Sequence, residues 1–288
     1  MAEKKKYELT DETIKIDGHI LHRIVSVRSG RKGGWIEREW NLSHEGHCWV
    51  DDEAMVYDNG RVEGDAKVHD HAKVYDNAFI DGNSEIYERA EVYGAAHVRG
   101  DTKVFGCAKI YDHAKIIGSK FYPAIVVADY ARVHGSAEIR DCAWVCGHAE
   151  IYGHAHIEGI SIRDYAKVHG YARVFHARVY DRARVYGHAV LKGGDVHGKA
   201  KVREWARLND SAEIYDNAQI YGYAEISRGA QIYGNAEVCG EAIVFDQAKV
   251  YGRVRVCEEA RVFYNADLHD EQIITGVEFA KELIEDIV

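Results

Sequence analysis

From Val50 to Leu268 an aliphatic residue returns every six positions, and a stack of short strands is the arrangement that uses such a period. The run Val74, Tyr75, Asp76, Asn77, Ala78, Phe79 and the run Ile214, Tyr215, Asp216, Asn217, Ala218, Gln219 are typical copies. Position 1 is Val, Ile or Leu, with Phe121 as the exception in this frame, and position 5 is nearly always Ala. Those two positions face inward, and the tight corner leaves room for only a small side chain at the fifth. Position 3 has to turn the chain through positive φ, which Gly tolerates freely and Asp and Asn best among the rest. Gly64, Gly82, Gly100 and Gly118 fall there, and Asp58, Asp76 and Asp112 do so on another edge.

Three such units close one triangular coil, so equivalent residues recur every 18 and stack about 4.8 Å apart. The outward sixth position supports that stacking independently. Lys67, Glu85 and Lys103 alternate in sign, as do Lys73, Glu91 and Lys109. Opposite charges on neighbouring strands attract and like charges repel, so alternation at this interval marks adjacent rungs. Tyr57, Tyr75, Tyr93 and Tyr111 form a ladder at the same interval, read as rings stacked along a corner.

Composition narrows the partners. The net charge is −10 over 288 residues, which argues against general nucleic-acid binding, since phosphate backbones are gripped by excess Lys and Arg. The longest apolar runs fall well short of a membrane span, and the opening residues lack the apolar stretch of a signal peptide. Six cysteines without a CxxC pair suggest reduced thiols and a cytoplasmic protein. His113 and His148 stand two coils apart, too far to share an ion, so no metal site is expected.

The hexads resemble the hexapeptide repeat of bacterial acyltransferases. Ahead of the first coil, Gly33, Gly34, Trp35 and Ile36, then Asn41, Leu42 and Ser43, then Gly46, Cys48, Trp49 and Val50 resemble the opening motif of the YdcK-like family. The hexad count predicts about 12 coils, and the resemblance implies that they wind as an all-β, left-handed parallel β-helix, acyltransferase-like, with coenzyme A or acetyl-CoA as its cofactor. It also implies a homo-oligomer, a trimer first and a dimer next. Phe79, Trp144 and Ile243 at outward sixth positions offer contact surface.

A solenoid exposes unpaired backbone at both ends, and these need covers. Residues 1–49 are expected to form an N-terminal β cap, with Leu21, Ile24, Val27, Trp35, Trp40 and Trp49 as an apolar lid. The β-helix then spans 50–270. Over 271–288, apolar residues at helical spacing around Val277, Phe279, Leu283 and Ile284 predict a short capping helix from about 275.

The hexad register slips by one residue after Ile116, Ile157, Val174 and Leu191. The last three slips are 17 apart, so they fall on one edge of consecutive coils and reshape it. The charge changes over the same coils: Arg163 to Arg207 holds eleven Lys or Arg against four acidic residues. A basic, aromatic-edged surface suits an anion with a flat ring, such as a nucleotide or the nucleotide end of coenzyme A. The candidate ligand residues are Arg163, Lys167, Arg173, His176 and Arg178, then Arg184, Tyr186, Lys192, Lys201 and Arg203. Arg173, His176, Arg178, Lys192 and Asp195 stand nearest the shortened edge. His169 and His188 are the candidate general bases for acyl transfer, because hexapeptide acyltransferases use a histidine on the accepting amine or hydroxyl. Those enzymes also throw a loop out between coils, and the hexads here read as uninterrupted. The alternative is a non-catalytic solenoid that holds a nucleotide-like ligand or a protein partner.

Overall fold

A computed structural model describes residues 5–278. The chain is an all-β parallel solenoid, and it divides into two compact units, Met1–His148 and Ala149–Val288. Apart from a 3-10 turn at Glu39–Asn41, the regular elements among the described residues are strands. Six turns lie in the first unit and seven in the second, against the twelve expected.

In the first unit, β1 (Tyr7–Ile16) and β2 (His19–Ser26) form an antiparallel hairpin. β3 (Lys32–Ile36) pairs antiparallel with β2 and parallel with Met55–Val56, so the opening strands join the first rung directly. Tyr7, Leu21, Ile24 and Trp35 are buried there, whereas Val27 and Trp40 are exposed and take no part in a lid. Gly33 is required at this junction. A Cβ there would sit 2.6 Å from both Ile24 Cγ1 and the Val50 carbonyl oxygen.

Most rungs are two-residue strands, one residue outward and the next inward, as in Lys73–Val74 and Glu91–Val92. Lys73, Glu91 and Lys109 pair in register, and so do Lys67, Glu85 and Lys103. The alternating charges meet: Lys109 reaches Glu91 at 2.9 Å and Lys103 reaches Glu85 at 3.3 Å. The tyrosine rings stack at 5.1, 4.9 and 5.0 Å from Tyr57 through Tyr111, their planes nearly parallel. Inward Val, Ile and Ala fill the centre and are essentially fully buried. Many small equivalent cores thus replace one large one, each roughly 0.8 kcal/mol per buried methylene.

The register after Ile116 departs from expectation. Ile116 pairs with Ile139 and Val104 with Val127, a step of 23, so five residues are inserted rather than one lost. Gly118 to Ala124 leaves the stack as a loop, and Phe121 is 81% exposed instead of inward. The reason is local. Pro123 has no N–H for the ladder, and phenylalanine is too large for the inward column. The hexads are therefore interrupted once.

In the second unit the three stacked losses are present. Ile157 and Ile162, Val174 and Val179, and Leu191 and Val196 are successive inward residues across one corner, each pair five apart. The turn is made by Gly159 and Ile160, by His176, and by Gly193 and Gly194, all at positive φ. The final turns run to Ile273–Ile274 and Val277–Glu278 as strands, not as the start of a helix. The remainder of the expected capping helix, 279–288, lies outside the described residues.

Candidate functional site: a basic cleft in the second unit

Losing a residue at a corner shortens the turn, and the residue after the inward position joins the strand. His156–Glu158, Arg173–Phe175 and Val190–Lys192, each followed by a loss, are three-residue strands, and so is Arg207–Asn209 on the next turn, where Leu208 and Ile214 stand the regular six apart. Each presents two outward side chains, so this face carries two columns. Arg173, Val190, Arg207 and Glu225 pair in register along the first. Phe175, Lys192 and Asn209 pair along the second.

Those seven residues line a cleft of about 600 Å³. Its floor is Val190 and the ring of Phe175. Arg173, Lys192 and Arg207 are exposed around it, and among the described residues none of the three has an ion-pair partner. Asn209 donates to Glu225 Oε1 at 2.8 Å and closes one end. Lys192, Asn209 and Glu225 also border a second hollow of about 590 Å³, lined further on by Ile243, Phe245 and Arg261. Three unpaired cations around an apolar floor are equipped to hold a multivalent anion that carries a ring.

The period scatters the other expected residues over three faces. Lys167, Arg184 and Lys201 stand in register on the first face, with His169, Tyr186 and Arg203 one step past the strand. Lys167 pairs with Glu150 at 2.6 Å. Arg203 pairs with Glu204 and lies over Tyr221, 4.1 Å from its ring centre. On the third face Arg178 makes a forked contact with Asp195, Nε to Oδ1 at 2.6 Å, which draws both away from any ligand. The same contact holds the Arg178 guanidinium above its usual range, with a hydrogen bond as the main cause. Arg163 lies over Tyr180 at 4.7 Å. His176 sits on the corner, its Nδ1 2.6 Å from where a Gly159 Cβ would stand, which is why glycine is needed there. Of the five residues nearest the shortened edge, Arg173 and Lys192 share the cleft.

The two candidate bases are ladder rings. His169 is stacked between Tyr152 at 4.6 Å and Tyr186 at 5.0 Å. His188 is stacked between Tyr171 at 5.0 Å and Trp205 at 4.0 Å. Burial, with Arg184 and Lys167 beside it, pushes the His169 imidazole below the usual histidine range. Tyr186 lends one face to His169, and its neighbour on the next rung is Arg203. Phe175 lines the cleft with its ring tilted against His156 at 5.7 Å, and neither His169 nor His188 lines it.

Phe175, Val190, Arg207, Asn209 and Glu225 were missed in the sequence. Their signal is arithmetic: steps of 17, 17 and 18 from Arg173 reach Val190, Arg207 and Glu225. One mixed cluster was missed as well. Donor atoms of Asp52, His69 and Asp70 lie within 4.8 Å of one another. Asp52 accepts the Asp70 amide at 3.4 Å, and the His69 nitrogens face Asp70 and Glu85 at 3.3 and 3.4 Å. The cluster is accounted for as part of the corner ladder.

No helix among the described residues is long and apolar enough to cross a membrane. No curated protein matches the chain. The family model described as the YdcK beta solenoid repeat matches residues 177–193, one shortened coil that holds Arg184, Tyr186, His188 and Lys192. The matched repeat and the parallel solenoid around it are together consistent with a YdcK-like family.

Proposed function

We propose that the protein binds a nucleotide-type anion in this cleft, with phosphates against Arg173, Lys192 and Arg207 and the ring against Phe175. The observation that carries the reading is the set of three cations without ion-pair partners around one cleft, in a chain of net charge −10. Lys73, Glu91 and Lys109 alternate along the first unit, where Lys109 and Arg132 are a like-charge pair; around the cleft Glu225 is the one carboxylate, in register with Arg207 and bonded to Asn209. The Asn209 and Glu225 pair supplies a donor and an acceptor for a base or sugar edge.

Acyl transfer from coenzyme A is the second reading, favoured by one detail. His156 pairs in register with Arg173, beside the cleft, and its Nε2 lies 3.7 Å from Glu158. In that reading His156 takes the role that His169 and His188 were expected to have, and the inserted loop removes one contrast with the enzymes. Calorimetric titration of the full chain with ATP, a mononucleotide and acetyl-CoA tests both. Binding that is lost in Arg173→Ala and Arg207→Ala supports the cleft. Turnover of acetyl-CoA that His156→Gln abolishes would select the enzyme, and failure of all three ligands to bind would refute both readings.

A further inference from the structure

The first face of the second unit departs from the alternation of Lys73, Glu91 and Lys109, over a longer run than the Lys109 and Arg132 pair of the first unit. Lys167 faces Arg184 in register, and Arg184 faces Lys201. Three cations stand in single file over about 10 Å, where alternation would have placed a carboxylate in the middle. Lys167, at the end of the file, is paired with Glu150 at 2.6 Å, whereas Arg184 and Lys201 have no ion-pair partner among the described residues. Arg203, in the next column, is paired with Glu204 and adds no open charge. Like charges in register weaken the stack, so the fold gains nothing from this column.

The column is also bounded. Glu150 precedes Lys167, and Gln219 and then Glu237 follow Lys201. A long polyelectrolyte would run onto carboxylates at both ends, whereas a short one would not. Neither of the two hollows described above includes any of the three cations, and a compact anion on that face would reach one or two of them at a time. A linear chain meets each rung in turn.

We propose that Lys167, Arg184 and Lys201 form a second anion site, separate from the cleft, that takes a short linear chain of linked phosphates laid along the solenoid axis. Lysine meets a phosphate as a point charge, and the arginine fork spans two oxygens of the middle group. The proposal does not depend on the cleft reading, because the two sites share no residue.

The test is titration of the full chain with inorganic orthophosphate, tripolyphosphate and longer polyphosphate at low salt. Affinity should rise from the monomer to tripolyphosphate, then level off once the chain spans the three rungs. Arg184→Glu should weaken tripolyphosphate binding at least tenfold, yet melt no lower than the parent, because it restores alternation. Arg207→Ala, in the cleft, should leave tripolyphosphate binding unchanged. If Arg184→Glu fails to fold, Lys201→Gln serves in its place with the same expected loss. Equal affinity for orthophosphate and tripolyphosphate would overturn the proposal. So would unchanged binding in the variants, or loss of binding in Arg207→Ala, which would assign the phosphates to the cleft.

Discussion

The carboxylate of Asp76 accepts the backbone N–H of Gly94, one turn on, at 3.0 Å, while Asp76 itself sits at φ 54°. The relation repeats at Asp112 with Gly135 and at Asp216 with Gly234. Tolerance of positive φ is thus half of the reason for aspartate at the corner; the other half is an amide of the next rung that needs an acceptor. Asp76→Gly should lose only the hydrogen bond, a cost of about 1.5–3 kcal/mol. Asp76→Ala should lose about 1–2 kcal/mol more through strain at positive φ. Denaturant midpoints of the two variants give the order, and equal midpoints would remove the conformational half of the account.

Arg178 and Arg207 stand on neighbouring faces with opposite prospects. Arg207→Ala should weaken nucleotide binding by about 1.5–3 kcal/mol, the usual range for a charge-assisted hydrogen bond. Arg178→Ala should leave binding unchanged and cost no more than about 1 kcal/mol of stability, because the Arg178 side chain that pairs with Asp195 is exposed. Calorimetry and thermal melts on both variants check this. The reverse pattern would place the ligand on the third face.

Phe121 decides how the insertion is read. An inward phenylalanine replaced by alanine costs about 3–5 kcal/mol. At 81% exposure Phe121→Ala should cost within about 0.5 kcal/mol. Val127→Ala, at a fully buried position of the next strand, is the positive control. A large loss at Phe121 would return that residue to the core.

His169 links stability to pH. Its folded-state pKa is depressed by burial and by Arg184 and Lys167. The unfolded chain therefore takes up the proton first as pH falls, and stability is lost below the ordinary histidine value of about 6.5. Above that value the contribution is complete. His169→Tyr keeps a ring in the ladder and removes the proton. Its melting temperature should fall less than the parent's between neutral pH and pH 5, and an equal fall would assign the effect to other groups.

The architecture was legible because its causes are local. Positive φ at Asp76, the small residue at Ala78 and the sign change from Lys73 to Glu91 are each set by a residue and its copy one turn away. The slips after Ile157, Val174 and Leu191 were legible for the same reason. The slip after Ile116 was not, because a six-residue frame can be fitted through Phe121 by counting letters. What rejects that frame is the size of the inward column and the N–H that Pro123 lacks.

By itself, the sequence determined the period, the inward columns and the excess of positive charge between Arg163 and Arg207. Which of those charges meet was decided by the tertiary structure. Arg173 and Arg178 are five residues apart in the chain and stand on different faces, while Arg173 and Arg207 share a column. A step of five crosses a corner, and two steps of 17 return to the same edge. The pairing of Arg178 with Asp195 and the opening left around Arg173, Lys192 and Arg207 follow from that winding, because a side chain's electrostatic partners lie one rung away and not one residue away.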